Sequence, residues 1–147
     1  MPSNFDWNDY IELSESLYCA TLCRFQDCNA PTKLLRNYKE SSSRTIISRN
    51  YYASFKTIQD YCEINYKGKI PTEDKNGYKL GSHEKIINFI GQYNTRLADD
   101  LALLKTLRKQ ADYKSNAIIN EKSVKFAINK ADAILKKFKN MKANKTI

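Results

Sequence analysis

Between Arg44 and Tyr66 the apolar side chains Ile47, Tyr51, Phe55, Ile58 and Cys62 recur at spacings of four, four, three and four. That is the 3.6-residue period of an amphipathic helix. A half-buried strand is excluded, because there alternate residues share a face. Within the stripe lies Ser48-Arg49-Asn50-Tyr51-Tyr52-Ala53-Ser54-Phe55. On a helix Tyr51 and Phe55 stand one above the other, and the small Ala53 and Ser54 admit a second helix beside the rings. The segment predicts a tight helix–helix contact with Arg49 left at its entrance.

The rest of the chain follows the same period. With 4 glycines and 3 prolines in 147 residues, there are too few breakers for an all-β fold with its many turns. A first helix is expected from about Ser3 to Asp6 as far as Leu22. Its acidic residues Asp6, Asp9, Glu12 and Glu15 suit the positive end of a helix dipole. Its apolar face is Trp7, Tyr10, Ile11, Leu17, Tyr18 and Leu22. A loop at Asn29-Ala30-Pro31 and a short helical turn over Thr32 to Tyr38 follow. Ser41-Ser42-Ser43 reads as a stop and N-cap for a second helix, Arg44 to Tyr66. Lys67 to Gly81, punctuated by Gly68, Pro71, Gly77 and Gly81, is an extended loop, basic and tyrosine-bearing. Ser82 is expected to cap a third helix carrying Ile86, Ile87, Phe89 and Ile90. A fourth carries Leu97, Leu101, Leu104 and Leu107 and ends at Tyr113. A fifth, from about Glu121, carries Val124, Ala127, Ile128, Ala131, Ile134, Leu135 and Phe138, with a frayed tail after about residue 140. The expectation is one all-α domain over residues 1–147, an up-and-down bundle of about five helices.

The net charge of +9 is unevenly spread: residues 1–43 carry −2 and residues 44–147 carry +11. Residues 114–147 hold nine lysines against Glu121 and Asp132. Such a basic helix either attracts polyanions by counterion release or is a solvated helix face. Lys136 and Lys137 are the binding candidates on it. Cys19 and Cys23 lie one helical turn apart, but neither a second cysteine pair nor a histidine pair completes a zinc set, since His83 is the lone histidine. No metal or other cofactor is expected. With Cys28 and Cys62, these cysteines read as small apolar side chains in a reducing compartment. No apolar run reaches membrane-span length, and the first residues lack a signal-peptide pattern, so a cytoplasmic location and no membrane partner are expected.

Three segments, Ile47-Ser48-Arg49-Asn50-Tyr51-Tyr52-Ala53-Ser54-Phe55, Ser82-His83-Glu84-Lys85 and Leu107-Arg108-Lys109-Gln110-Ala111-Asp112-Tyr113, carry a resemblance. Together they resemble the HEPN superfamily (higher eukaryotes and prokaryotes nucleotide-binding), in its small prokaryotic branch with S-R-x-Y-Y-A-x-F, S-H and L-R-x-x-A-D-Y. The likeness spans roughly residues 10–140. It implies a helical bundle, often a homodimer, that binds RNA or nucleotides. Some members are ribonuclease toxins or effectors of CRISPR, abortive-infection and toxin–antitoxin systems, and some pair with a nucleotidyltransferase antitoxin or a larger defence effector. The ribonuclease members use an R-x4–6-H motif, in which histidine moves protons and arginine neutralises the phosphate.

Here that motif is missing. Asn76, Gly77 and Tyr78 stand where an arginine would precede His83, and Lys56 stands where many relatives place a histidine. The expected function is therefore RNA, nucleotide or partner binding within a prokaryotic defence or toxin–antitoxin system. The alternative is a metal-independent endoribonuclease with a non-standard site built from Arg49, Lys56, His83 and Asp112. The binding candidates are Arg49, Lys56, His83, Arg108, Lys136 and Lys137; catalytic candidates are His83 and Arg49. Tyr51, Tyr52, Phe55, Asp112 and Tyr113 form the expected structural cluster. Arg49 either binds phosphate or pairs with a carboxylate such as Asp112. His83 either moves protons or hydrogen-bonds across to another helix, and Arg108 and Asp112 are spaced for an intrahelical pair.

Overall fold

Helices that each carry one apolar stripe bury it by packing stripe to stripe, and the described residues form five of them. The computed structural model describes the backbone of residues 9–27 and 32–144 and the side chains of residues 9–21 and 39–144. It is an all-α bundle of α1 (Asp9–Asp27), α2 (Thr32–Tyr66), α3 (Ser82–Gly91), α4 (Thr95–Tyr113) and α5 (Glu121–Ala143). The central helix is α2, against which α1, α4 and α5 pack, while α3 lies chiefly on α4. Ile47, Tyr51, Phe55, Ile58 and Cys62 are all fully buried, as the spacing predicts, and face Ile86, Phe89, Ile90, Leu97, Leu101, Leu104, Val124, Ile134 and Phe138. Among the described helices none is long and apolar enough to cross a membrane.

Several expected boundaries move, each for a physical reason. The expected start of the first helix and the loop at Asn29-Ala30-Pro31 lie outside the described residues. The first helix continues to Asp27 rather than stopping at Leu22. It turns Ser14 and Thr21 inward, their hydroxyls donating to Tyr10 O and Leu17 O at 2.7 Å each. Ser41-Ser42-Ser43 does not stop a helix: α2 runs 35 residues through it, about 52 Å. Ser42 and Ser43 are buried there as small packing residues, so tertiary contact overrides their preference for caps. The cap of α3 is Gly81, not Ser82; the Glu84 carboxylate accepts from the Gly81 N–H at 3.3 Å. Asn94 and Asn120 cap α4 and α5 through Oδ1, accepting from Leu97 N and Ser123 N at 3.0 Å each. The tail does not fray at residue 140, because α5 continues to Ala143 to bury Met141. Of the cysteines, Cys62 is buried but Cys19 is exposed, which corrects the apolar reading for that residue.

One arginine ties the serine stretch of α2 to the end of α4. The Arg44 guanidinium donates to the carbonyls of Gln110, Ala111 and Lys114 at 3.4, 2.7 and 3.1 Å, and to those of Ser115 and Ala117 at 3.3 and 3.0 Å. They lie in the last turn of α4 and in the turn that follows it, where a cation suits the negative end of the helix dipole. Glu40, one turn back on α2, accepts from Arg44 at 2.8 and 3.0 Å and holds the fork in place. The serine stretch must be helical for Glu40 and Arg44 to meet. Arg44→Met is therefore expected to cost about 2 kcal/mol of stability, the loss of one charge-assisted cap, measured by urea denaturation.

Candidate functional site

The three resembling segments meet where α2, α3 and the end of α4 converge. On α2 the Tyr51 and Phe55 rings stack, with centroids 5.7 Å apart and planes 16° from parallel, and Tyr52 meets Tyr51 edge-on at 5.4 Å. The first turn of α3 lays His83 on this group. Its ring centroid is 4.3 Å from Phe55, 5.6 Å from Tyr51 and 6.4 Å from Tyr52. Tyr51 Oη and His83 Nδ1 are hydrogen-bonded at 2.5 Å. Tyr51 is wholly buried, and burial pushes its phenol far above the ordinary tyrosine range, so it stays protonated; a buried O–H requires an acceptor, and His83 Nδ1 is the group it meets, which assigns Tyr51 as the donor. With Nδ1 accepting, neutral His83 carries its proton on Nε2.

From α4 comes a second layer. Arg108, 13% exposed at its side chain, has its Cζ 5.0 Å from the Tyr52 ring centroid and 4.8 Å from that of Tyr113. Arg108 Nη2 donates to Tyr113 Oη at 3.1 Å. Asp112 Oδ2 sits 2.5 Å from Arg108 Nε, but the N–H is not aligned with it, so the contact is an ion pair without a directed hydrogen bond. Asp112 also accepts from Ser48 Oγ at 3.3 Å, tying α4 back to α2. His83 and Asp112 thus belong to one network, joined through Tyr52 and Arg108.

Its electrostatics are one-sided. Burial, and then the charges of Lys105, Arg108, Lys56 and Lys109, push the His83 pKa below its ordinary value. Of these cations Lys105 has a carboxylate at 3.5 Å, Glu84, whose own pKa is held down by the Gly81 N–H and then by Lys105. Lys56 Nζ donates to Gln59 at 2.8 Å. An imidazole N–H donor in the field of Lys105, Arg108, Lys56 and Lys109 is suited to an anion with several oxygens, such as phosphate. It is not suited to general-base catalysis, since the nitrogen free to take a proton is the one already holding it.

The structure sorts the other candidates. Arg49 is exposed and stacks on Tyr10 of α1, with Cζ 5.1 Å from the ring centroid. It lines a groove of about 350 Å³ with Arg44, Ser48 and Asp112, while the ion pair of Asp112 is made with Arg108. Lys136 and Lys137 take no part in the His83 network. Lys136 pairs with Asp132 at 2.8 Å, and Lys137 with Lys130 converges on Asp100 at 2.6 and 2.7 Å. Burial pushes the Asp100 pKa up, but its hydrogen bonds to the two lysines outweigh that and the net shift is downward. Tyr113 is 71% exposed, so it is the outer edge of the cluster and not part of its buried body. Lys105 and Lys109 were missed by sequence reasoning, although Lys105, Arg108, Lys109 and Asp112 recur at the three- and four-residue spacings of one helix face. Among the described residues no three histidine, cysteine or acidic side chains are grouped to hold a metal ion.

The depressed His83 pKa fixes a sign for stability. Below the unfolded value of about 6.5 the unfolded chain binds a proton that the folded chain resists. Stability from this group is therefore complete above about pH 6.5 and falls as the pH drops from there toward the folded pKa. Glu84 and Asp100 are depressed too, but their contribution is lost only at lower pH. Unfolding free energies at about pH 7.5 and 5.5 are expected to differ in the wild type and to differ less in His83→Gln, since no other histidine titrates in that window.

Comparison with known proteins adds one relative. An uncharacterized protein of Methanocaldococcus jannaschii is 33% identical over 98 residues, an alignment covering 59% of this chain and 58% of that protein. The chain thus spans less than two thirds of that relative. No protein-family model matches the chain, and no solved structure matches it.

Proposed function

We propose that this chain is a HEPN-type helical domain that binds RNA or a nucleotide by its phosphate, without cleaving it, at the junction of α2, α3 and α4. In this reading it serves as a binding component of a prokaryotic defence or toxin–antitoxin system. The observation that carries the reading is the His83 imidazole bonded through Nδ1 to Tyr51 and joined through Tyr52 to Arg108, in the field of Lys105, Lys56 and Lys109. An imidazole N–H supplies a directed donor, the lysines supply screened charge, and Arg108, held by Tyr52 and Asp112, supplies a pre-oriented fork. The ordering cost on binding is small because Arg108 is already immobilised. The three resembling segments, which meet at this place, support the HEPN-type assignment.

Binding without cleavage follows from the same geometry. Cleavage of RNA at its 2′-hydroxyl needs a base, and the Tyr51 phenol occupies the His83 nitrogen that would accept the proton. RNA incubated with the protein in chelator is expected to stay intact; cleavage abolished by His83→Ala would establish the ribonuclease alternative instead.

Titration of a labelled single-stranded RNA against salt tests the binding itself. If each of the four cations meets one phosphate, log K falls by about 3 per decade of salt. In the double variant Lys105→Gln, Lys109→Gln the slope is expected to shrink by about 1.4. A response flat in salt, or no binding at physiological ionic strength, overturns the proposal.

A further inference from the structure

We infer that Tyr113 is a stacking platform for an unpaired nucleobase, so that the ligand of the phosphate site is single-stranded RNA or a free nucleotide rather than a duplex. The inference rests on the phosphate-binding reading and specifies its ligand. A run of contacts leads from the core to solvent. Buried Tyr51 meets Tyr52 at 5.4 Å, Arg108 lies 5.0 Å from the Tyr52 ring centroid, and Tyr113 lies 4.8 Å from Arg108. Each inner member is covered by the next. Tyr113 ends the run with 71% of its surface exposed.

An exposed tyrosine is ordinarily mobile, and ordering it on binding costs rotamer entropy. Tyr113 is held beforehand: Arg108 Nη2 donates to its hydroxyl at 3.1 Å while the guanidinium lies against its ring. The uncovered remainder of the ring is an aromatic surface of fixed position. Every nucleobase has a π-face that such a ring can stack, and a guanidinium beside the ring adds cation–π attraction. In a duplex those base faces are already covered. The phosphate that accompanies the base has its partners close at hand. Arg108 touches Tyr113, Lys109 is its neighbour on α4, and His83 is reached through Tyr52, at 6.4 Å between centroids. A base on Tyr113 thus has Arg108, the nearest cation of the phosphate site, directly beside it.

The test compares wild type, Tyr113→Ala and Tyr113→Phe, each checked for helix content by circular dichroism. The probes are a labelled single-stranded RNA, AMP and inorganic tripolyphosphate, which has charge but no base. Tyr113→Ala is expected to weaken the RNA by about five- to a hundred-fold and to leave tripolyphosphate unchanged. Tyr113→Phe, which keeps the ring but loses the Arg108 hydrogen bond that fixes it, is expected to bind RNA more tightly than Tyr113→Ala and less tightly than the wild type. Loss of AMP affinity alongside RNA identifies a free nucleotide as sufficient; loss for RNA alone identifies a strand. Unchanged RNA affinity in Tyr113→Ala overturns the inference. So does an equal loss for RNA and tripolyphosphate, which would make Tyr113 only a support for Arg108. A wild type that binds tripolyphosphate but no RNA also sinks the inference alone, whereas one that binds neither removes the phosphate site itself.

Discussion

A phenol enclosed in a helical core must find an acceptor, because an unpaired buried hydroxyl costs about 1–3 kcal/mol. Tyr51 meets that requirement with His83 Nδ1, and much else in the molecule follows from the choice. It seats the first turn of α3 against the middle of α2 and selects the imidazole tautomer. It also places the ring 4.3 Å from Phe55, tilted by 34° to it, where burial pushes the imidazole pKa down. The packing contact and the chemistry are one interaction. A histidine so held keeps its proton on Nε2 and has no free basic nitrogen, and this favours anion recognition over proton abstraction.

Two arginines then set the end of α4 relative to α2. Arg44 gathers the carbonyls left open where α4 ends, while Arg108, one turn before that end, lies between Tyr52 and Tyr113 and pairs with Asp112. The first neutralises a helix terminus; the second is presented at the edge of the aromatic cluster. Carboxylates take up much of the charge on α5, where Lys125, Lys130, Lys136 and Lys137 all have acidic partners. Around His83 the balance differs, with four cations acting on it and Glu84 and Asp112 opposing them. Composition locates the positive charge of this chain on α5, yet the site where it is concentrated around a directed donor lies elsewhere.

Much of the fold was legible because it depends on local period. The stripe of Ile47, Tyr51, Phe55, Ile58 and Cys62 is buried as its spacing requires, and the Tyr51–Phe55 stack follows from a four-residue offset on a helix. Boundaries were read less well where a residue's local preference was outvoted. Three serines read as a cap became the interior of a long helix because Arg44 and Glu40 needed one continuous turn between them. Gly81 took the capping place of Ser82, since the Glu84 side chain reaches back to its backbone N–H. The tail stayed helical because Met141 had a core to join.

The amino-acid sequence by itself determined the class of fold, the inward face of each helix and the residue types at the site, since these depend on period and side-chain chemistry a few positions apart. Only the tertiary structure decided who meets whom. Arg49 stacks on Tyr10 and not on Asp112, Lys105 and Lys109 act on His83, and Arg44 closes a helix 66 to 73 residues away in sequence. Long-range partners are chosen by the crossing of helices and by which buried polar groups remain unsatisfied there, and neither is encoded in any short stretch of the chain.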